Sequence, residues 1–343
     1  MPISDIGTPG VIRTTVVGSW PIPFGLKPRL TAYYRGAVSD ENAHDVLQAA
    51  ARIAMDEQIA CGLDQIMGGE VFAPDFVHHV PPRLAGLEVV RKRDHRAGVE
   101  GTGRYRIVGD VSAPRGTGHA LAYRREKAIQ PDLDKAAVPS AATMTLSFAG
   151  DPRLPEQMEN VARLVEAEVR DMVLAGAAEV QLDAPFEAVA LVTQGRRVED
   201  LAPWIVIPFR SVEGVRRTVH FCLGDMGRRP ATQEQHLRHL IPLFQALEGH
   251  VDRVHVECSY AGQWAERRLL ADIPESMEVI AGIADVKSKP QGEEALRQRI
   301  ESLLEVLAPE RLIVSTSCGC GRMPHDDAIA LMRNLVRASR ATA

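Results

Sequence analysis

Short β-branched runs recur eight times along this chain, and most are followed by a longer stretch with helical spacing of apolar residues. The runs are Thr14-Thr15-Val16-Val17, Gln65-Ile66-Met67, Ala137-Val138 through Thr145-Leu146, Glu179-Val180-Gln181-Leu182, Thr218-Val219-His220-Phe221, Arg253-Val254-His255-Val256, Glu278-Val279-Ile280 and Arg311-Leu312-Ile313-Val314. Helical periodicity fills 41–61, 155–175, 233–247, 293–307 and 325–340. Parallel strands need connections of helical length, so the rhythm predicts an α/β fold, a (β/α)8 TIM barrel, with a doubly wound sheet as the alternative. Such a barrel takes about 250 residues, and the 343 residues here leave room for an insertion. The alternating, charged, glycine-broken stretch 87–111 predicts a β-hairpin that covers one end of the barrel. No linker or composition break divides the chain, so residues 1–343 are expected to form a single domain.

Composition narrows the partners. With 40 Lys+Arg against 45 Asp+Glu the net charge is −5, and no basic stripe interleaved with aromatics is present, which argues against nucleic acid and for a small-molecule substrate. No apolar run approaches the ~18 residues of a membrane span, and residues 1–10 lack the basic and apolar regions of a signal peptide, so a cytoplasmic protein without membrane contact is expected. Five cysteines, Cys61, Cys222, Cys258, Cys318 and Cys320, are an odd number and point to reduced thiols, either metal ligands or small buried hydrophobes.

Catalytic groups of a TIM barrel sit where its strands end, and the residues there are polar: Gly18-Ser19, Glu70, Asp183, His220 with Cys222, Glu257 with Cys258, Asp285 with Lys287, and Cys318 with Cys320. His220 and Cys222 stand two apart on a strand and so share one face. Imidazole, thiolate and carboxylate together suit zinc. Glu257 is the best third ligand, since Cys258 faces the other way, and the fourth comes from Cys318 or from Cys320, with the strand-end Cys318 preferred. His255 reads as a hydrogen-bonded interior residue, and His78, His79 and Cys61 as structural.

The strings TTVVGSW, GLDQIMGGE, VGDVS, VQLDAP, VHFCLG, VHVECS, GIADVKS and LIVSTSCGCG, in this order from Thr14 onward, resemble the catalytic barrel of the cobalamin-independent methionine synthase family. The resemblance implies a zinc-dependent methyl or alkyl transfer to a thiol, with zinc on His220, Cys222, Glu257 and Cys318. It also implies homocysteine as the thiol, bound through Gly18, Ser19, Glu70 and Asp183, and proton delivery at the position of Lys287, where the family has His. Catalytic roles therefore fall on Asp183 and Lys287. The two-barrel bacterial and plant enzymes carry an N-terminal barrel that these residues do not include, which leaves several donors open, methylcobalamin on a corrinoid protein among them. Epoxyalkane:coenzyme M transferases are single-barrel relatives acting on another thiol. A metal-free uroporphyrinogen decarboxylase-like barrel and a non-catalytic zinc-stabilised binding protein are the readings outside this chemistry.

Overall fold

A computed structural model describes residues 11–73, 76–92 and 103–342. Its strands in chain order are β1 (Arg13–Thr14), β2 (Ala85–Arg91), β3 (Arg104–Ser112), β4 (Lys135–Pro139), β5 (Glu179–Asp183), β6 (Arg216–Phe221), β7 (Arg253–Glu257), β8 (Glu278–Ala284) and β9 (Leu312–Thr316). Seven of them form one curled parallel sheet in the order β1-β9-β8-β7-β6-β5-β4. Every residue of β5, β7 and β9 is buried, as expected for parallel strands covered by helices outside and by one another's side chains within.

The eighth strand position, expected at 65–67, is filled without a regular ladder. Gln65 N donates to Thr14 O at 3.1 Å and Trp20 N to Gly69 O at 3.2 Å, and Ser19 with Gly69 makes an isolated parallel bridge. The reason lies in a buried side chain. The Gln58 amide donates to Met67 O at 2.8 Å and accepts from Met67 N at 2.9 Å. It thus occupies both backbone groups that a neighbouring strand would use.

Two expected elements are corrected. The run ending at Leu146 stops as a strand at Pro139; Ser140 then caps a short helix, Ala141–Met144, accepting from Thr143 N at 3.1 Å, and a 3-10 turn follows. The helix expected over 233–247 is reduced to a 3-10 turn, Leu237–His239, and a helix Ile241–Ala246 that has Pro242 in its first turn. Proline has no N–H to donate and crowds the preceding turn, so it is favoured in a first turn, and here Pro242 sits where a new helix begins. The other helices lie close to their expected spans, with Ser39 and left-handed Gly62 bounding Asp40–Cys61.

Strands β2 and β3 form the antiparallel hairpin, with Leu87 opposite Ile107 and Val89 opposite Tyr105; residues 93–102 of the expected stretch lie outside the described residues. Ile107 N donates to Asp151 at 2.8 Å and Val111 N to Gln157 at 2.9 Å. These bonds anchor the hairpin at the start of helix Leu154–Leu174, beside the face where the strands end. Among the described residues no helix is long and apolar enough to cross a membrane.

Candidate metal centre and substrate mouth

Side chains at alternate positions of β6 point into the barrel, which lines up Thr218, His220 and, just past the strand end, Cys222. Register places Asp183 of β5 and His255 of β7 on either side of His220. Cys318 follows β9 by two residues. The ligand atoms of His220, Cys222 and Cys318 all lie within 4.8 Å of one another.

His220 is only 1% exposed, and neither of its ring nitrogens has a hydrogen-bond partner. A buried polar side chain left bare on both nitrogens is costly unless something else binds it. Its ring packs on that of His255 at 4.5 Å between centroids, whose Nε2 bonds Thr316 O at 3.1 Å, so His255 has the interior role expected of it. The Cys222 and Cys318 sulfurs are 3.7 Å apart. That is far beyond a disulfide and close to the about 3.8 Å that two thiolates bound to one tetrahedral zinc would show. Contact with Cys222 holds the Cys318 thiol well below its ordinary pKa against the opposing effect of burial, and the same contact with burial pushes Cys222 up. These residues fit a thiophilic metal.

Cys258 and Cys320 are outside this trio. Both are buried, and burial pushes both thiols up to about 12, as befits small core residues. Glu257 stands beside the trio without being part of it. Its Oε2 accepts from Leu223 N at 2.8 Å and its Oε1 from Lys287 Nζ at 2.5 Å, with both side chains essentially inaccessible. Burial raises the Glu257 carboxyl to about 7 despite Lys287. Burial alone would lower Lys287, but Glu257 and the two thiols outweigh it and hold the ammonium above its ordinary value. Lys287 also lies 5.4 Å from the centre of the Tyr260 ring.

Around the mouth the acids carry little compensation. Asp183 accepts from Gln181 Nε2 at 2.7 Å, and burial lifts it to about 6 although His220 and Gln181 pull it down. Glu70 adopts a left-handed backbone (φ 58°); burial, then Asp183 and Cys318, push its carboxyl well above the usual range. A Cβ on Gly18 would fall 2.2 Å from Glu70 Oε1, and one on Gly319 would fall 2.1 Å from Ser19 Oγ. The Ser19 hydroxyl accepts from Gly321 N at 3.2 Å, which joins the Gly-Ser turn to the loop carrying Cys318. Gly18, Ser19, Glu70 and Asp183 therefore converge, while Lys287 is engaged on the metal side.

One acid was missed in the sequence. Glu126, on helix His119–Ile129, is buried against Gly68 and raised by burial to about 8. It falls in phase with buried His119, Ala122 and Tyr123, and a carboxylate on the apolar stripe of a helix is a legible signal.

Comparison with known proteins agrees with this geometry. Residues 12–341 match the model of the family described as cobalamin-independent synthase, catalytic domain. A relative in Thermosynechococcus vestitus, described as 5-methyltetrahydropteroyltriglutamate--homocysteine methyltransferase, is 26% identical over 96% of this chain, which spans only 43% of that protein. A methionine synthase of Saccharolobus solfataricus is 23% identical, with 90% of this chain and 88% of the relative covered. Among solved structures, a B12-independent methionine synthase from Shewanella in complex with selenomethionine superposes with a TM-score of 0.77 at 19% identity, covering 96% of this chain and 97% of that one. With strands, mouth and match running together from Ile12 to Ala341, the chain belongs to the cobalamin-independent synthase catalytic-domain family.

Proposed function

We propose that this chain is a zinc-dependent methyltransferase that alkylates the thiol of homocysteine to give methionine. The observation that carries the reading is His220, buried with both ring nitrogens unpartnered and facing two thiols at the strand-end mouth. Family membership and the activities named for the relatives support it. A corrinoid protein as donor has no support from a family described as cobalamin-independent.

His220, Cys222 and Cys318 would hold the zinc, with Glu257 the fourth residue of the family pattern. When bound, the ion supplies a lowered pKa for the substrate thiol, so that the sulfur is a thiolate near neutral pH. The chain does the rest. Glu70 and Asp183, buried acids with no cation paired to them among the described residues, suit a substrate ammonium group. Ser19 Oγ accepts from Gly321 N and so keeps its own O–H to donate to the substrate carboxylate, beside the Gly18 turn. Held at both ends, the amino acid presents its sulfur to the methyl carbon; the S–C bond forms as the donor's bond to that carbon breaks, the donor departs with that electron pair, and the proton it takes up balances the one the thiol gives up. Lys287 contributes fixed positive charge next to the sulfurs.

The test is zinc per chain by elemental analysis on the wild type and on Cys318→Ser, with the metal-edge X-ray absorption spectrum recorded before and after homocysteine. One zinc, weakened in the variant, that gains a sulfur neighbour on adding homocysteine is the expected result. One zinc without that response points to another thiol, and absence of zinc sinks the reading.

A further inference from the structure

We propose that Lys287 is a positioning residue that keeps Glu257 off the metal. The centre of this chain is then a three-ligand site of His220, Cys222 and Cys318, with its fourth position open to the substrate thiol. The proposal rests on the zinc reading and specifies its coordination.

Three observations support it. Both Glu257 oxygens already have partners, Oε1 the Lys287 ammonium and Oε2 the Leu223 amide, whereas both His220 nitrogens have none. The Lys287 side chain is 1% exposed, and Glu257 is the carboxylate it pairs with. If Glu257 swung onto a metal, a buried ammonium would be left without its counter-ion, an expensive state. Finally, Leu223 directly follows Cys222, so the carboxylate is tied to the backbone that presents one sulfur.

Charge balance gives the arrangement a purpose. Two thiolates and a neutral imidazole cancel a divalent ion, and the Glu257–Lys287 pair cancels itself, so an incoming thiolate gives the buried centre a single negative charge. With Glu257 as ligand and an uncharged residue at 287, the centre would begin at one negative charge and reach two. Accumulating like charge in a buried site is unfavourable. Lys287 therefore favours capture of the substrate as its thiolate.

The experiment is zinc titration against a competing chelator on the wild type, Glu257→Gln, Lys287→Met and the double variant, with near-ultraviolet circular dichroism to verify folding. With Lys287 present, Glu257→Gln is expected to weaken zinc by no more than about ten- to a hundredfold, the scale of an outer residue. In the Lys287→Met background the freed carboxylate should ligate, so the same substitution should cost several hundredfold, and Lys287→Arg should restore the small effect. A several-hundredfold loss from Glu257→Gln alone would show that Glu257 is a ligand and overturn the proposal, even if the Lys287 variants do not fold. Equal small losses in both backgrounds would also overturn it. Zinc binding that responds to homocysteine without such coupling defeats this inference and leaves the functional reading standing; a wild type that binds no zinc defeats both.

Discussion

Glu179 and Asp183 open and close the same strand, four residues apart on the interior face, and the barrel treats the two buried acids in opposite ways. Glu179 is surrounded: Arg253 donates to it at 2.6 Å, Thr218 at 2.7 Å and Gln65 at 3.1 Å, while Lys135 lies 3.8 Å away. Burial would raise its pKa, but Lys135 and Arg253 outweigh burial and bring it below the usual value. Asp183 has a single short bond, from Gln181, and burial lifts it to about 6. The face where strands begin uses its charges against one another, with Arg253 also reaching Glu278 and Arg13 pairing with the same Glu278. At the opposite face Asp183, Glu70 and the His220 imidazole are left uncompensated, which costs folding energy and is what the proposed ammonium and metal sites require. Barrels commonly divide stability and chemistry between their two ends in this way.

Breaking the paired end should give the largest effect. Glu179→Ala strands the buried Lys135 cation and takes one of the two carboxylates that hold Arg253, and losing one partner of such a network costs ~3–5 kcal/mol. Urea unfolding should show that loss while zinc content per folded chain stays unchanged. A loss below about 1 kcal/mol would mean that the network contributes little and that the contrast between the ends is only one of appearance.

The open end should respond with the reverse sign. Glu126 is raised to about 8 by burial, so the folded state keeps its proton when the unfolded chain has lost it. Below the unfolded value of about 4.5 both states are protonated and nothing is lost; between about 4.5 and 8 the folded state is progressively penalised as pH rises. Glu126→Gln removes the ionisable group. The variant should match the wild type near pH 4.5 and exceed it at pH 8 by ~4 kcal/mol, read as a pH-dependent gap in melting temperature. A gap that does not change with pH would assign the gain to packing instead.

Much of this was legible in the sequence, for reasons that particular residues make plain. His220 and Cys222 could be placed together because strand periodicity is two and the pair straddles a strand end. Cys258 could be set aside by the same alternation, and it is indeed buried apart from the trio. The Lys287–Glu257 pair was not legible, since it joins the ends of two strands thirty residues apart and no local spacing encodes which oxygen the ammonium finds. Nor was the side-chain substitute for a strand ladder: Gln58 reads as one more polar residue on a helix, and only packing turns its amide toward Met67. Pro242 was a local signal, and its effect on the preceding turn accounts for the shortened helix.

The finest test of the open end is a single methyl group. Gly18 has no left-handed backbone to protect, so the argument for its glycine is space alone: a Cβ there would lie 2.2 Å from Glu70 Oε1 and 3.1 Å from its Cδ. Glu70 cannot retreat freely, because Gly69 before it and Glu70 itself hold positive φ and fix the direction of the side chain. Gly18→Ala should therefore displace the Glu70 carboxylate from the mouth without touching His220, Cys222 or Cys318. If Glu70 and Asp183 together hold the substrate ammonium, KM for homocysteine should rise roughly tenfold, a change of about 1.4 kcal/mol, with zinc content intact and kcat little altered. A fall in kcat at constant KM would place Glu70 in the chemical step instead. Loss of zinc would show that the two halves of the mouth, joined through Ser19 and Gly321, cannot be perturbed separately.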